Sequence, residues 1–323
     1  MRHLTASMAG LLVLSGIVSG AARAQDFPTR VVTIVIPFAP GGSAEASLRP
    51  VADWLGKSWK QPVIVESRAG GGTTIGAAYV AEQKPDGYHL LFTAVASHTI
   101  SGSLFSGLKY HPVKSFTPIS GIAVSPYLVL VNASSPIKTI ADLIALAKAS
   151  PGKINYGSSG AGTGPHLAGE ILKQDVGIDT VHVSFKGAAP AITALLGNHI
   201  DYLVTDISAL SLVQSGQLRA LGVTSTARSS YLPDVPTLDE TVDKGFDATN
   251  RVALMGPPGM DPALTDMITK AVHQALATDD IKRAYAPFGY EANPLDGKQL
   301  GLSIQADYDR FAQIIQKIGL KAE

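Results

Sequence analysis

Residues 156–166 read Tyr156-Gly157-Ser158-Ser159-Gly160-Ala161-Gly162-Thr163-Gly164-Pro165-His166, and residues 36–45 read Ile36-Pro37-Phe38-Ala39-Pro40-Gly41-Gly42-Ser43-Ala44-Glu45. Each stretch leaves a short run of strand character and enters a helical pattern. Each is therefore a strand, a glycine-rich loop and a helix start. Glycine lets backbone come close to a ligand. The helix that follows offers unpaired N–H groups and the positive end of its dipole. Such a terminus holds a carboxylate or phosphate without a formal cation. Ser43, Ser158, Ser159 and Thr163 add hydroxyl donors. Either loop alone reads better as a tight βα turn with a cap. Two matched loops make a binding cleft an equal alternative.

Working outward, strands are predicted at 31–36, 62–65 and 88–93, with helices at 44–57 and 73–83 between them. That βαβαβ rhythm implies a parallel sheet covered by helices. Residues 118–131 are largely apolar and are interrupted by Ser125-Pro126, the mark of a segment crossing between domains. A second series follows, with helices at 139–149, 165–175 and 188–196 and strands at 153–156, 181–185, 201–205 and 218–224. The last third returns to one strand at 252–255 and helices at 262–277 and 299–318. One α/β unit is thus interrupted by another. Residues 25–125 with about 226–323 form lobe 1, and residues 126–225 form lobe 2, with the C-terminal helix free to pack across. Two crossings make a two-hinge clamshell. The rival arrangement is a single large doubly wound domain.

Arg2 and His3, the apolar run 11–18, and Ala22-Arg23-Ala24 form the three parts of an export signal, with cleavage expected near Ala24. The alternative is a membrane anchor, but Gly10, Ser15, Gly16, Ser19 and Gly20 break a run that would need roughly 20 apolar residues. The chain has no cysteine, so disulfides, thiolate chemistry and N-terminal Cys lipidation are excluded. Lys+Arg and Asp+Glu number 26 each; loss of residues 1–24 removes Arg2 and Arg23 and no acid. That balance does not fit a nucleic-acid or membrane-surface binder.

Nucleotide motifs fail on inspection. Pro165 follows Gly160-Ala161-Gly162 where a dinucleotide fingerprint needs glycine, and Leu108 stands where a P-loop needs lysine. Ala161 spoils a Gly-x-Ser-x-Gly elbow at Gly157-Ser158-Ser159-Gly160. His166 and Glu170 lie one helical turn apart, but a two-ligand pair reads as a helix-surface contact rather than a metal site. His98 and His182 read as polar groups paired inside the fold. No metal and no cofactor are expected.

The ordered set of short motifs resembles a family. Pro37-Phe38-Ala39-Pro40-Gly41-Gly42, Arg49, Glu66-Ser67-Arg68-Ala69-Gly70-Gly71-Gly72, Ile75-Gly76 and Pro85-Asp86-Gly87-Tyr88 come first. The 156–163 loop with His166-Leu167-Ala168, then Phe185-Lys186-Gly187-Ala188-Ala189-Pro190-Ala191, Gly216-Gln217-Leu218-Arg219-Ala220-Leu221 and Leu232-Pro233-Asp234-Val235-Pro236-Thr237-Leu238 follow. Together they resemble the Bug-type periplasmic solute-binding receptors of tripartite tricarboxylate transporters. The resemblance implies a type II periplasmic-binding-protein fold in the α/β class. It also implies a monomeric receptor that delivers a small carboxylate to the membrane subunits of such a transporter. The ligand contacts it implies are Phe38, Ala39, Pro40, Gly41, Gly42 and Ser43 in one lobe. Ser158, Ser159, Gly160, Ala161, Gly162 and Thr163 would face them from the other. A loop holding Ala96, Ser97 and His98, together with Lys186, Gly187 and Asp206, would complete the wall.

Three residues depart from the pattern: Glu45 replaces Asp, Phe185 replaces Tyr, and Arg251 replaces an aromatic. Arg251 reads either as a surface ion pair or as a partner for a second anionic group of the ligand at the cleft mouth. Two other functions fit a cleft of this kind. One is a carboxylate-sensing module for a membrane signalling partner. The other is an extracytoplasmic hydrolase, for which the sequence shows no nucleophile–base spacing.

Overall fold

The computed structural model describes residues 27–40, 43–105 and 107–319. The N-terminal residues read as an export signal, and Gly41-Gly42, lie outside the described residues. From its first strand the chain runs β1 (Val32–Ile36), α1 (Ser43–Trp59), β2 (Val63–Ser67), α2 (Thr74–Ala81), β3 (His89–Ala94), α3 (Val95–Leu104) and β4 (Thr117–Ser125). It then runs β5 (Leu128–Asn132), α4 (Ile140–Ala149), β6 (Ile154–Ser158), α5 (Gly164–Val176), β7 (Thr180–Ser184), α6 (Ala188–Leu196), β8 (Tyr202–Thr205), α7 (Leu210–Gln214) and β9 (Leu218–Val223). It closes with α8 (Leu238–Thr241), β10 (Asn250–Gly256), α9 (Pro262–Leu276), α10 (Asp279–Tyr285), β11 (Glu291–Ala292) and α11 (Gly297–Ile318).

These elements make two α/β lobes. The first sheet has the order β11-β4-β10-β3-β1-β2, and the second β7-β6-β8-β5-β9. β1 is buried along its whole length, as a continuous β-branched run covered on both faces must be. Neither sheet is wholly parallel, contrary to the simple βαβ expectation. β10 runs antiparallel to β3 and β4, and β5 antiparallel to β8 and β9. These strands are reached by crossings or turns rather than by a helical crossover, so the right-handed βαβ rule does not fix their direction.

The chain leaves the first sheet after Ser125 and enters the second at Leu128. It comes back between β9 and β10. Thr224 stitches the two passages together. Its Oγ1 accepts the Tyr127 N–H at 2.9 Å and donates to the Ala248 carbonyl at 2.9 Å. Its N–H donates to the Tyr127 carbonyl, and the Ala248 N–H donates to its own carbonyl, both at 3.0 Å. α11 spans both lobes. Leu300 and Ile304 pack with Val35 and Leu91 of the first, whereas Phe311 and Ile315 pack with Leu167 and Ile171 of the second.

One expected loop is a helix. The segment after β3, which includes Ala96, Ser97 and His98, forms α3. Its sequence, VASHTISGSL, is rich in β-branched residues, serine and glycine, and has weak helix propensity. The helix is held by burial instead: every residue from Val95 to Ser101 is buried.

Candidate functional site

A cavity of about 530 Å³ lies between the lobes. Its walls come largely from segments that follow the C-terminal ends of parallel strands, where open α/β sheets bind ligands. Phe38, Ala39 and Pro40 follow β1, while Ala94 and Ser97 stand at the β3–α3 junction. Ser159, Thr163, Gly164 and Pro165 follow β6, Lys186 to Pro190 follow β7, and Asp206 and Ser208 follow β8. Ala44, Ile192, Asn250, Val252, Tyr290 and, at the first crossing, Tyr127 complete the lining.

Three helices open onto this space without a side-chain cap. Ala94 precedes α3, Thr163 precedes α5 and Gly187 precedes α6, and at none of them does a side chain accept a backbone N–H. Gly187 sits at φ 114°, a backbone that glycine adopts without strain. Its N–H donates to the Ser159 carbonyl at 3.1 Å, and the Phe185 N–H donates to the Ser158 carbonyl at 3.2 Å. The two loops of the second lobe are thereby laced together. The Thr163 hydroxyl donates to the Gly160 carbonyl at 2.7 Å and rounds the first of them. Gly164 admits the Tyr127 ring, since a Cβ there would fall 1.9 Å from the phenolic oxygen. Burial, and then the nearby Asp206 carboxylate, raise the pKa of Tyr127, so its phenol stays neutral.

The polar groups around the cavity are mostly donors: free helix starts, hydroxyls, the Asn250 amide and the exposed Lys186 ammonium, which has no ion pair among the described residues. Asp206 is the exception. It caps its own turn by accepting the Ser208 N–H at 3.1 Å. The remaining lining is alanine, proline, isoleucine, valine and aromatic rings. Such a site can grip one anionic end of a small ligand and lay its carbon chain on apolar walls, leaving Asp206 to accept from a ligand hydroxyl or ammonium.

Of the residues the sequence singles out, Phe38, Ala39, Pro40, Ser97, Ser159, Thr163, Lys186, Gly187 and Asp206 line this cavity. Gly41, Gly42 and the Ser43 side chain lie outside the described residues. Ala96 and His98 do not line it. His98 is fully buried, its Nε2 2.8 Å from the Pro112 carbonyl, and burial lowers its pKa to about 4. Ser158, Gly160, Ala161 and Gly162 are not part of the lining. The Ala161 N–H donates to Ser184 Oγ at 2.9 Å and the Gly162 N–H to His166 Nδ1 at 3.1 Å.

Arg251 is turned away from the ligand cavity. It donates to both oxygens of Asp307 at 2.9 Å and to Asp247 at 3.3 Å, and it borders a separate cavity of about 380 Å³ beside the crossings. The reason is strand alternation: Asn250 and Val252 face the ligand cavity, so the residue between them faces the other way. Tyr127, Asn250 and Tyr290 were missed. Tyr127 could have been found, because it adjoins the Ser125-Pro126 crossing and a crossing forms the back of a cleft. Tyr290 gives no local signal.

His166 is buried and Glu170 half-buried, rather than both lying on an exposed helix surface. Glu170 accepts from the Tyr156 hydroxyl at 2.6 Å and from Lys173 at 2.9 Å. Among the described residues no cluster of three or more His, Asp or Glu could hold a metal. Ser158 Oγ lies 2.7 Å from His182 Nε2, a serine–histidine contact that no sequence spacing disclosed. The serine is fully buried and outside the cavity lining, so a substrate in the cleft does not meet it.

Among the described residues no helix is long and apolar enough to cross a membrane. The model of the tripartite tricarboxylate transporter family receptor matches residues 47–320. BugT of Bordetella pertussis is 29% identical over 314 residues, covering 97% of this chain and 96% of the relative. Among solved structures, the periplasmic binding protein BugD is 28% identical with a TM-score of 0.80, covering 92% of this chain and 100% of that one. MatC from Rhodopseudomonas palustris with bound malate is 27% identical with a TM-score of 0.78, covering 90% and 100%. A second R. palustris protein, with adipate, is 27% identical with a TM-score of 0.83, covering 92% and 99%. The fold, the cleft between two lobes and these matches agree, and the chain belongs to the tripartite tricarboxylate transporter receptor family, whose members are periplasmic solute-binding receptors rather than enzymes.

Proposed function

We propose that the chain captures a small carboxylate in the cavity between its lobes and hands it to the membrane subunits of a tripartite tricarboxylate-type transporter. The observation that carries this reading is the convergence of α3, α5 and α6, all without side-chain caps, on one cavity from both lobes. One carboxylate oxygen takes N–H groups at the helix starts, with the Thr163, Ser159 and Ser97 hydroxyls beside it. Lys186 attracts the anion from solvent. Malate in MatC and adipate in the second R. palustris protein support a carboxylate with further polar or apolar length.

In this reading the export signal is removed near Ala24 and the mature protein diffuses as a periplasmic monomer. Its lobes divide near 126 and 226. Rotation about the Tyr127–Thr224–Ala248 stitch closes them, and closure is driven by contacts that only the closed state makes. A thermal-shift screen of small carboxylates tests it. A ligand at 100 times its Kd stabilises the protein by about 2.7 kcal/mol. No stabilisation by any mono-, di- or tricarboxylate at millimolar concentration would refute the binding half of the proposal. Loss of carboxylate uptake on deleting the membrane subunits of a tripartite tricarboxylate-type transporter tests the delivery half.

A further inference from the structure

We infer that His166 and His182 are positioning residues for the 158–163 loop: as a stacked pair of neutral imidazoles they hold it in its ligand-receiving shape, and protonation releases it. The inference rests on the carboxylate-binding reading of the cleft. The pair grips both ends of the loop. At one end the Gly162 N–H donates to His166 Nδ1 at 3.1 Å. At the other, Ser158 Oγ accepts the Gly160 N–H at 3.2 Å and lies 2.7 Å from His182 Nε2. Ser159 and Thr163, whose side chains line the cavity, lie within or beside the span so fixed.

The geometry demands a neutral His166. An N–H can donate only to an unprotonated ring nitrogen, so its proton sits on Nε2. The two rings are stacked, with centroids 3.7 Å apart and planes 7° apart, and two imidazolium ions in that arrangement repel. The surroundings offer little compensation. Glu170 on α5 is 4.0 Å from His166 Nε2 but is engaged by Lys173 on the same helix and by the Tyr156 hydroxyl on β6. Tyr156 packs against His182 and is backed by Tyr202 on β8. Burial lowers both histidines to about 4; Lys173 adds to the effect on His166, and His166 adds to that on His182.

The test needs no ligand. In the full mature chain, ring-nitrogen and amide NMR is followed from about neutral pH to about pH 4, below the usual imidazole range. The expected result is a His166 Nε2–H tautomer that resists protonation and a Gly162 amide resonance that moves with it. His166→Asn, which keeps an acceptor near Nδ1, should retain the exchange protection of the Gly162 amide and lose its acid response. His166→Leu should lose the protection. With adipate or malate as probe, whichever binds, His166→Leu should bind roughly tenfold more weakly, the scale of one orphaned half-buried N–H. A Gly162 amide equally protected in wild type and His166→Leu would overturn the inference. So would an acid response unchanged in His166→Asn, which still decides the matter if the leucine variant fails to fold. A protein that bound neither probe would speak against these ligands for the cleft, while the amide readout would still judge the loop.

Discussion

The helices of this molecule begin in two ways. α4, α8, α9, α10 and α11 start from Thr139, Thr237, Asp261, Thr278 and Asp296, and each of these side chains accepts a backbone N–H of its own helix. α3, α5 and α6 start from Ala94, Thr163 and Gly187, and no side chain closes them. The capped set lies away from the ligand cavity; the uncapped set opens into it. α2 also lacks a side-chain cap, but it continues from a 3₁₀ turn, and α7 continues from the turn that Asp206 caps. An N-cap contributes about 1 kcal/mol, so omitting three at one cavity leaves positive helix ends for an outside anion. The difference separates groups that hold the fold from groups that hold the ligand.

The sharpest way to break that contrast is to cap a cleft helix from within. Thr163→Asp gives α5 its own carboxylate at a residue already in the extended conformation of an N-cap. It also sets a like charge against the ligand, at a cost of several kcal/mol. Affinity for a bound carboxylate should fall by more than about 100-fold, read by calorimetry, while circular dichroism stays native.

Acid comes next. His98, His166 and His182 titrate at about 4 in the folded protein, chiefly because burial disfavours their charge. Their unfolded value is about 6.5. The unfolded chain therefore binds more protons, and stability present above pH 6.5 is lost as pH falls toward 4, by at most about 1.4 kcal/mol per unit for each histidine and less for half-buried His182. Urea midpoints across that window measure it, and a flat profile would contradict the burial of these rings.

Gly164→Ala should cost about 1–3 kcal/mol as an overpacking change. It forces the start of α5 off the Tyr127 hydroxyl, so the unfolding midpoint and carboxylate affinity should fall together. Removing a cap far from the cleft should do only one of these. Thr139→Ala or Asp296→Ala is expected to lower stability by about 1 kcal/mol and leave binding unchanged. A weaker ligand affinity in either variant would blur the distinction between the two sets.

The sequence discloses much of this arrangement, but unevenly. The βα rhythm, the crossing at Ser125-Pro126 and the glycine loop after β6 are local features, legible from period, proline and glycine alone. Helix α3 is hidden because Val95, Thr99 and Ile100 argue for strand, and only burial on both sides overrides them. The direction of β10 is hidden because it depends on a chain returning from the other lobe. That return also decides which way Arg251 points: one position of strand register turns a candidate ligand partner into a partner of Asp307. The His166–His182 stack joins residues of different elements, and no spacing announces it. The capping boxes at Thr139 and Asp296, closed by Asp142 and Gln299 three residues on, are local in sequence, although helical periodicity alone starts these helices at 139 and 299.

The decisive measurement is calorimetric titration of the protein and its Thr163→Asp and Asp296→Ala variants with small carboxylates, malate and adipate first. Saturable binding of at least one carboxylate to the wild type, the same affinity in Asp296→Ala, and no measurable binding in a folded Thr163→Asp are expected. Carboxylate binding that survives Thr163→Asp unchanged would contradict a ligand-holding role for the uncapped start of α5.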